Sequence, residues 1–505
     1  MMELVHNILF GFSVVLQPTN IFYCFIGCLL GTLIGVLPGI GPAGAIALLL
    51  PITFRSTPES GIIMLAAIYY GAQYGGSTTS ILVNIPGEAS SVVTCLDGYQ
   101  MARQGRAGPA LGMAAFGSFI AGTFSVVLLT LMAPSLANIA IKFGPPEYFG
   151  LMVLGIVIIT FLASESILKG ILMILVGVIM GSVGLDVISG SPRLTFQIPE
   201  LFDGLDLVPV VMGLFGIAEI LTNIEKEMKR DLFERGIKNL LPTLKDWKAC
   251  RWPIVRGSLI GFFLGILPGG GAVISSFISY AVEKKVSKHP EKFGTGLIEG
   301  VAAPESANNS ATGGAMIPLL TLGIPPNVVL AMLLGALMIH GTPPGPLMLK
   351  EHPQVFWGIV TSMYIGNFMC LVLNLPLIRI WVQVLKVPYK ILFPLILLFC
   401  LIGSYMINHS LLDMISMVVF GIVGYLLKKY RYDAAPLAIA FVLGPMLERS
   451  LRQSLSMSDG SFEIFLKSPL AGSCLLIATI LLVLPLFPLM KRKRRKMVAI
   501  QKEED

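Results

Sequence analysis

The sequence predicts an all-α polytopic membrane protein made of two inverted repeats with broken helices or re-entrant hairpins, plus one extra C-terminal helix. Three observations carry this. Of the 505 residues, 55% are hydrophobic and only 13% are charged, against about 25% charged in soluble domains. The stretch 31–41 (GTLIGVLPGIG) recurs as 261–271 (GFFLGILPGGG), with six of eleven positions identical and Pro38 and Pro268 standing 230 residues apart. The charge preference of equivalent loops flips between the two halves, as loops on opposite membrane faces require.

The apolar windows come first. A transmembrane helix needs ~20 apolar residues, and 110–133, 356–378 and 470–490 all qualify. The N-terminus has no basic region of the kind that opens a cleaved leader. The repeat continues beyond the shared Leu-Pro-Gly. Ser118 and Gly122 match Ser362 and Gly366, Ser166 matches Ser410, and Gly177 matches Gly421, all 244 residues apart; Pro209 recurs as Pro436. The boundaries drawn from this are 1–225 for the first membrane repeat and 256–465 for the second. Between them lies a basic cytoplasmic linker, 226–255. An extra transmembrane helix at 466–490 and a basic cytoplasmic tail at 491–505 follow.

Orientation follows from charge. Segment 225–256 carries nine Lys/Arg against five Asp/Glu, and the tail holds Lys491-Arg492-Lys493-Arg494-Arg495-Lys496. Basic loops stay cytoplasmic, which puts the N-terminus outside. These runs fit solvent or anionic membrane lipid and call for no nucleic acid. In the first half, loop 97–108 carries Arg103 and Arg106, whereas its counterpart 340–353 has only Lys350. Loop 186–206 is acidic overall, whereas its counterpart is Lys428-Lys429-Tyr430-Arg431. Seven scattered cysteines and five histidines show no metal-site spacing.

The chemistry lies in two motif pairs. Pro38, Gly39, Ile40 and Gly41 interrupt one apolar run, and Pro268, Gly269, Gly270 and Gly271 interrupt its equivalent. Proline removes a helix hydrogen bond and glycine weakens the helix. In lipid the freed backbone groups must be satisfied or line a cavity. Matching breaks in two halves therefore point to a transporter binding site, where the following N–H groups can receive an anion. A kink for packing is the plain alternative, and duplication weighs against it. The segment 283–292 (EKKVSKHPEK) after the second break, if cytoplasmic like the linker, makes 256–282 a hairpin with the break near its tip.

The second pair is Tyr74-Gly75-Gly76-Ser77-Thr78-Thr79-Ser80, leading to Asn84-Ile85-Pro86-Gly87, and the stretch 303–314 (APESANNSATGG), leading to Gly323-Ile324-Pro325-Pro326. Ser77, Thr78, Thr79 and Asn84, and Ser306, Asn308, Asn309, Ser310 and Thr312, supply neutral donors for a carboxylate and oxygens for a cation. Small polar residues also pack helices in membranes, and that reading holds for any single Ser or Thr. Glu305 is an acid at expected membrane depth, a functional candidate by position. Glu299 reads as solvated near an interface, and neither has an evident acidic counterpart in the first half.

At these four blocks (35–42, 74–87, 267–271 and 303–314) the sequence resembles the large membrane (permease) subunit of the tripartite tricarboxylate transporter family. The resemblance spans nearly the whole chain. It implies a multi-pass protein of a bacterial cell inner membrane, working with a small membrane subunit and a periplasmic solute-binding protein. It also implies uptake of a carboxylate such as citrate by symport with a cation, usually sodium, with H⁺ the other choice, and no cofactor. A stand-alone carboxylate/ion symporter without a binding protein is the rival reading. No P-loop is present to power an ATP-driven pump. No cluster of nucleophile, acid and base marks an enzyme, and a passive channel would ignore a cation gradient.

Overall fold

The computed structural model describes residues 2–37, 41–163, 166–186, 188–225, 239–269, 271–385 and 389–483, and 80% of these described residues are helical. After α1 (Met2–Val15) the first half runs α2 (Pro18–Val36), α3 (Gly41–Thr53), α4 (Pro58–Val83), α5 (Val92–Arg103), α6 (Ala107–Ala140), α7 (Pro145–Ala163), α8 (Ile167–Gly181) and α9 (Leu207–Glu225). The second half repeats the order with α10 (Leu244–Ile266), α11 (Gly271–Val286), α12 (Glu299–Leu322), α13 (Val328–Ile339), α14 (Pro353–Asn374), α15 (Tyr389–Asn408), α16 (Leu411–Lys429) and α17 (Ala435–Met457). The helix α18 (Pro469–Val483) follows. Among the described residues the only sheet is a two-stranded hairpin, β1 (Gly184–Leu185) with β2 (Pro192–Arg193). Among the described residues six helices, α2, α6, α9, α10, α14 and α16, have the length and apolar composition to cross a membrane.

Local chemistry sets equivalent helix ends in both halves. α4 starts on Thr57, whose hydroxyl accepts the Ser60 N–H, with Pro58 in the first turn; such a cap satisfies an otherwise orphaned donor. α4 ends on left-handed Asn84 (φ 58°) and α12 on left-handed Gly323 (φ 70°), and Ile-Pro follows each. α9 and α17 both begin behind an aspartate. Asp206 Oδ1 accepts the Val208 N–H at 2.9 Å, and Asp433 Oδ1 accepts the Ala435 N–H at 2.8 Å.

The glycines before each break set how the halves pack. Gly27, Gly31 and Gly35 line the face of α2 against α4, and Gly257, Gly261 and Gly265 line the face of α10 against α12. A Cβ at Gly31 would stand 2.5 Å from the Ile68 carbonyl oxygen, and one at Gly261 only 2.2 Å from that of Ala307. Small residues four apart let helix backbones meet in this way. The outer helices then exchange between halves. α6 packs on α12 while α14 packs on α4, and α8 packs on α17 while α16 packs on α9. These contacts run in both directions between the halves. They leave α4 and α12 buried on every side, at the centre of the molecule.

The second break has the hairpin shape expected. α10 and α11 pack against each other, and Arg256 holds Glu283 through two hydrogen bonds, Nε–Oε2 at 2.9 Å and Nη2–Oε1 at 2.7 Å. Arg256 lies 11 residues before Leu267 and Glu283 lies 12 after Gly271, so the pair ties the two legs at one height. The boundary drawn at residue 256 falls inside α10. That helix starts at Leu244, because Thr243 and Asp246 form a capping box that carries it through the basic segment. Loop 97–108 is likewise mostly helix α5, and only 104–106 connects it to α6. The window 356–378 stops as a helix at Asn374. The linker residues 226–238, the tail and 484–490 lie outside the described residues.

Substituting Gly261 with leucine would force apart α10 and α12. Overpacking costs ~1–3 kcal/mol, so Gly261→Leu is expected to lower the thermal unfolding midpoint in detergent. Gly216→Ala, whose Cβ enters open space, is expected to leave it within ~0.5 kcal/mol of the parent.

Candidate functional site

The first break lies partly outside the described residues, which exclude Pro38, Gly39 and Ile40; Gly41 opens α3 with φ 64°. At the second, Pro268 and Gly269 form a turn, Gly270 is not described, and Gly271 opens α11. Gly269 has φ 74° and its N–H donates to the Pro326 carbonyl at 2.9 Å. That amide is therefore already used, which narrows the anion-receiving role expected of the break. Its Cα lies close against α7, where a Cβ would sit 2.8 Å from the Ile159 Cα.

The α4 motif divides by helix face. Gly75 makes room for the Thr32 carbonyl and Gly76 for the Glu88 side chain. Thr79 Oγ1 donates to the Val36 carbonyl at 2.6 Å, satisfying the last turn of α2 before its break. Thr78, with Ser77 and Ser118, borders a cavity of about 10 Å³, room for about one water. Ser77 turns to the second half, where its hydroxyl donates to Glu305 Oε2 at 2.5 Å. Asn84 is exposed, and its part in the fold is the left-handed cap.

The α12 motif divides in the same way. Ala303, Ala307 and Ala311 take the glycine stripe of α10. Ser310 Oγ donates to the Ser258 carbonyl at 2.7 Å, and Thr312 Oγ1 bonds back to Asn308 O. Asn309 Nδ2 donates to Ser118 Oγ at 2.7 Å on α6. Ser306 Oγ is buried with no hydrogen-bond partner among the described residues. Glu305 is 0% exposed and accepts from Ser77 and, through Oε1, from Thr94 Oγ1 at 2.5 Å, both residues of the first half. Asn308 reaches the other way, with Nδ2 donating to Glu88 Oε1 at 2.9 Å.

Glu88 is the residue that the sequence reading missed. It lies in the turn after α4, 7% exposed, and also accepts from Ser90 Oγ. Ser90 in turn is held near Gln73 Oε1 at 2.9 Å. So the acid of the second half does have an acid opposite it. A signal was available: Glu88 is the only charged residue between Glu59 and Asp97, and Glu305 the only one between Glu299 and Lys350. Removing a carboxylate from water costs several kcal/mol even after relaxation, so isolated acids in apolar stretches carry meaning. The assembled site is thus two buried glutamates, with hydroxyl and amide donors crossing between the halves. Among the described residues, no group of three or more His, Cys, Asp or Glu is placed to hold a metal ion.

The profile of the tripartite tricarboxylate transporter TctA family matches residues 21–439, a span that contains all of these residues. The chain belongs to the TctA family. A protein of Agrobacterium vitis called "Uncharacterized 52.8 kDa protein in TAR-I ttuC' 3'region" is 50% identical over 505 residues, the whole of both chains. Another from the same organism, "Uncharacterized protein in TAR-II ttuC' 3'region", is 48% identical over 234 residues, 46% of this chain and 97% of that one. No solved structure matches the chain. Membership makes the protein the large membrane subunit of a transporter, of a family that is not one of enzymes.

Two further features frame this TctA site. A cavity of about 730 Å³ opens beside Arg106, Asn239, Lys245, Asp246, His289 and Glu299, at the start of α12. Its size suits a small ligand, and Arg106 bonds Asp246 across it at 2.7 Å. Glu299 precedes Glu305 by six residues, about 9 Å along the helix. Between the cavity and the glutamates stands Asp97 of α5, 0% exposed. It accepts the N–H groups of Gly294, Gly296 and Leu297 at 2.8–3.0 Å and the Tyr280 hydroxyl at 2.8 Å. A carboxylate there also suits the positive end of α12, and it clamps the second half's hairpin and α12 to the first half. Asp97→Ala strands three amide donors. At ~1–3 kcal/mol for each buried group left unpaired, it is expected to lower the unfolding midpoint and to speed protease cleavage within 287–297, relative to Asp97→Asn.

Proposed function

We propose that this chain is the permease of a binding-protein-dependent, cation-coupled importer of a small carboxylate, citrate or a related tricarboxylate, in a bacterial inner membrane. A periplasmic solute-binding protein delivers the substrate, and a small membrane subunit completes the assembly. The observation that carries the reading is the polar seam between α4 and α12, in a chain of a transporter family. It is buried between two repeats whose equivalent helices break at the same motif, the position in which secondary transporters bind substrate. The two halves lie inverted across the membrane, and alternating access parts one from the other.

The roles follow from donor chemistry. The carboxylate is received by hydroxyl and amide donors of Ser77, Thr78 and Asn309, and by backbone N–H groups at the breaks around Gly39, Gly41, Gly270 and Gly271. The cation takes the oxygens. The 730 Å³ cavity serves as the vestibule on the linker side, where Arg106, Lys245 and His289 attract an anion. Sodium is the coupling cation in this reading, because the hydroxyl and amide oxygens of the seam can ligate it.

Proteoliposomes holding all three subunits are expected to accumulate labelled citrate or a related carboxylate only when an inward Na⁺ gradient is imposed. Ser77→Ala, Asn308→Ala and Gly269→Val are each expected to reduce that uptake at least tenfold while the protein remains monodisperse. Uptake indifferent to all three variants, or to the gradient, contradicts the reading. Uptake by this chain alone favours the stand-alone symporter.

A further inference from the structure

The seam holds two buried acids and an excess of oxygen. Glu88 and Glu305 are buried, and among the described residues no ion pair involves either. Every partner is a neutral donor: Ser77 and Thr94 for Glu305, Ser90 and Asn308 for Glu88. Beside them is an acceptor with nothing to accept. Asn308 is 0% exposed, its Nδ2 is spent on Glu88, and its Oδ1 has no hydrogen-bond partner. A buried carboxylate pair and an orphaned amide oxygen share one requirement, a ligand that is positive and seeks oxygen. A carboxylate substrate has the wrong sign for this place. Two carboxylates with hydroxyls and one amide oxygen are a hard-oxygen donor set, the ligands that alkali and alkaline-earth cations take.

The structure assigns the coupling-cation site to Glu88, Glu305 and Asn308 Oδ1, with a sodium-class cation held between the two halves of the chain. This rests on the transport reading for its purpose and for the choice of sodium, but not for its oxygen ligands. Glu88 and Asn308 come from different halves, as do Ser77 and Glu305. A cation bound there joins the halves at the seam, and its release frees them to part. The anion then binds beside a site whose charge the cation has offset, which gives cation and substrate a reason to travel together.

The test reads cation binding without substrate. The purified full-length chain is heated in detergent with increasing NaCl, against choline chloride at equal ionic strength. The wild-type midpoint is expected to rise with Na⁺ beyond its rise with choline, since a ligand of the native state alone stabilises it. Glu88→Gln and Glu305→Gln keep the side-chain shape, and each is expected to shift the half-saturating Na⁺ concentration upward at least tenfold. Asn308→Ala keeps both carboxylates and is expected to weaken Na⁺ to a smaller degree. An Na⁺ response unchanged in all three variants overturns the assignment. So does its absence from the wild type together with uptake driven by a pH gradient alone. Na⁺-driven uptake that survives in Glu88→Gln and Glu305→Gln overturns the assigned ligands and leaves the transport reading standing. Na⁺ binding lost in the variants, in a protein that moves no carboxylate, supports the assignment and overturns the transport reading.

Discussion

Two buried acids without a cationic partner among the described residues, Glu88 and Glu305, lie at the seam of the molecule, and the packing around them holds that seam shut and supplied with donors. Neither half can do this alone. Glu305 of α12 is satisfied by Ser77 of α4 and Thr94 of α5, and Glu88 is satisfied in part by Asn308 of α12. A buried polar network half satisfied is worse than none, so the two halves must meet in register for either to be stable. The glycine stripes on α2 and α10 bring their backbones close enough to set that register.

The same contacts explain how a site can be both tight and divisible. Within each half, α2 against α4 and α10 against α12 meet backbone to backbone, which makes rigid units. Between the halves, contact at the seam runs through hydroxyls, amides and carboxylates, whose bonds can be exchanged for bonds to a ligand at little net cost. Asp97 is the exception. Its three backbone amides and one hydroxyl fasten the loop before α12 to α5, so any separation of the halves pivots about this end or breaks it.

Much of the architecture was legible in the sequence, because its signals are local. Leu-Pro-Gly, the glycines four apart and the Ile-Pro after each central helix act through the backbone. Duplication repeats them at matching positions, so the paired breaks and the second hairpin could be read. Which face of a helix each side chain occupies is set by packing and was not legible. Ser310 and Thr79 look as chemical as Ser77 in the sequence, yet they close backbone carbonyls, and Asn84 turns out as a cap. Glu88 escaped because its significance comes from Asn308, 220 residues away in the chain. Charge marked residues 226–255 as linker, and within that stretch a two-residue capping box, Thr243 with Asp246, begins α10.

The central claim is that ligands bind at the seam between α4 and α12. It is tested most directly by an experimental structure of the full assembly in NaCl with the carboxylate it transports. The account predicts cation density against Glu88, Glu305 and Asn308, and substrate density beside Ser77 and Thr78, with α4 and α12 moved apart relative to the arrangement described. Substrate density confined to the cavity at Arg106 and Lys245, with the seam unchanged and no cation at the glutamates, would contradict it.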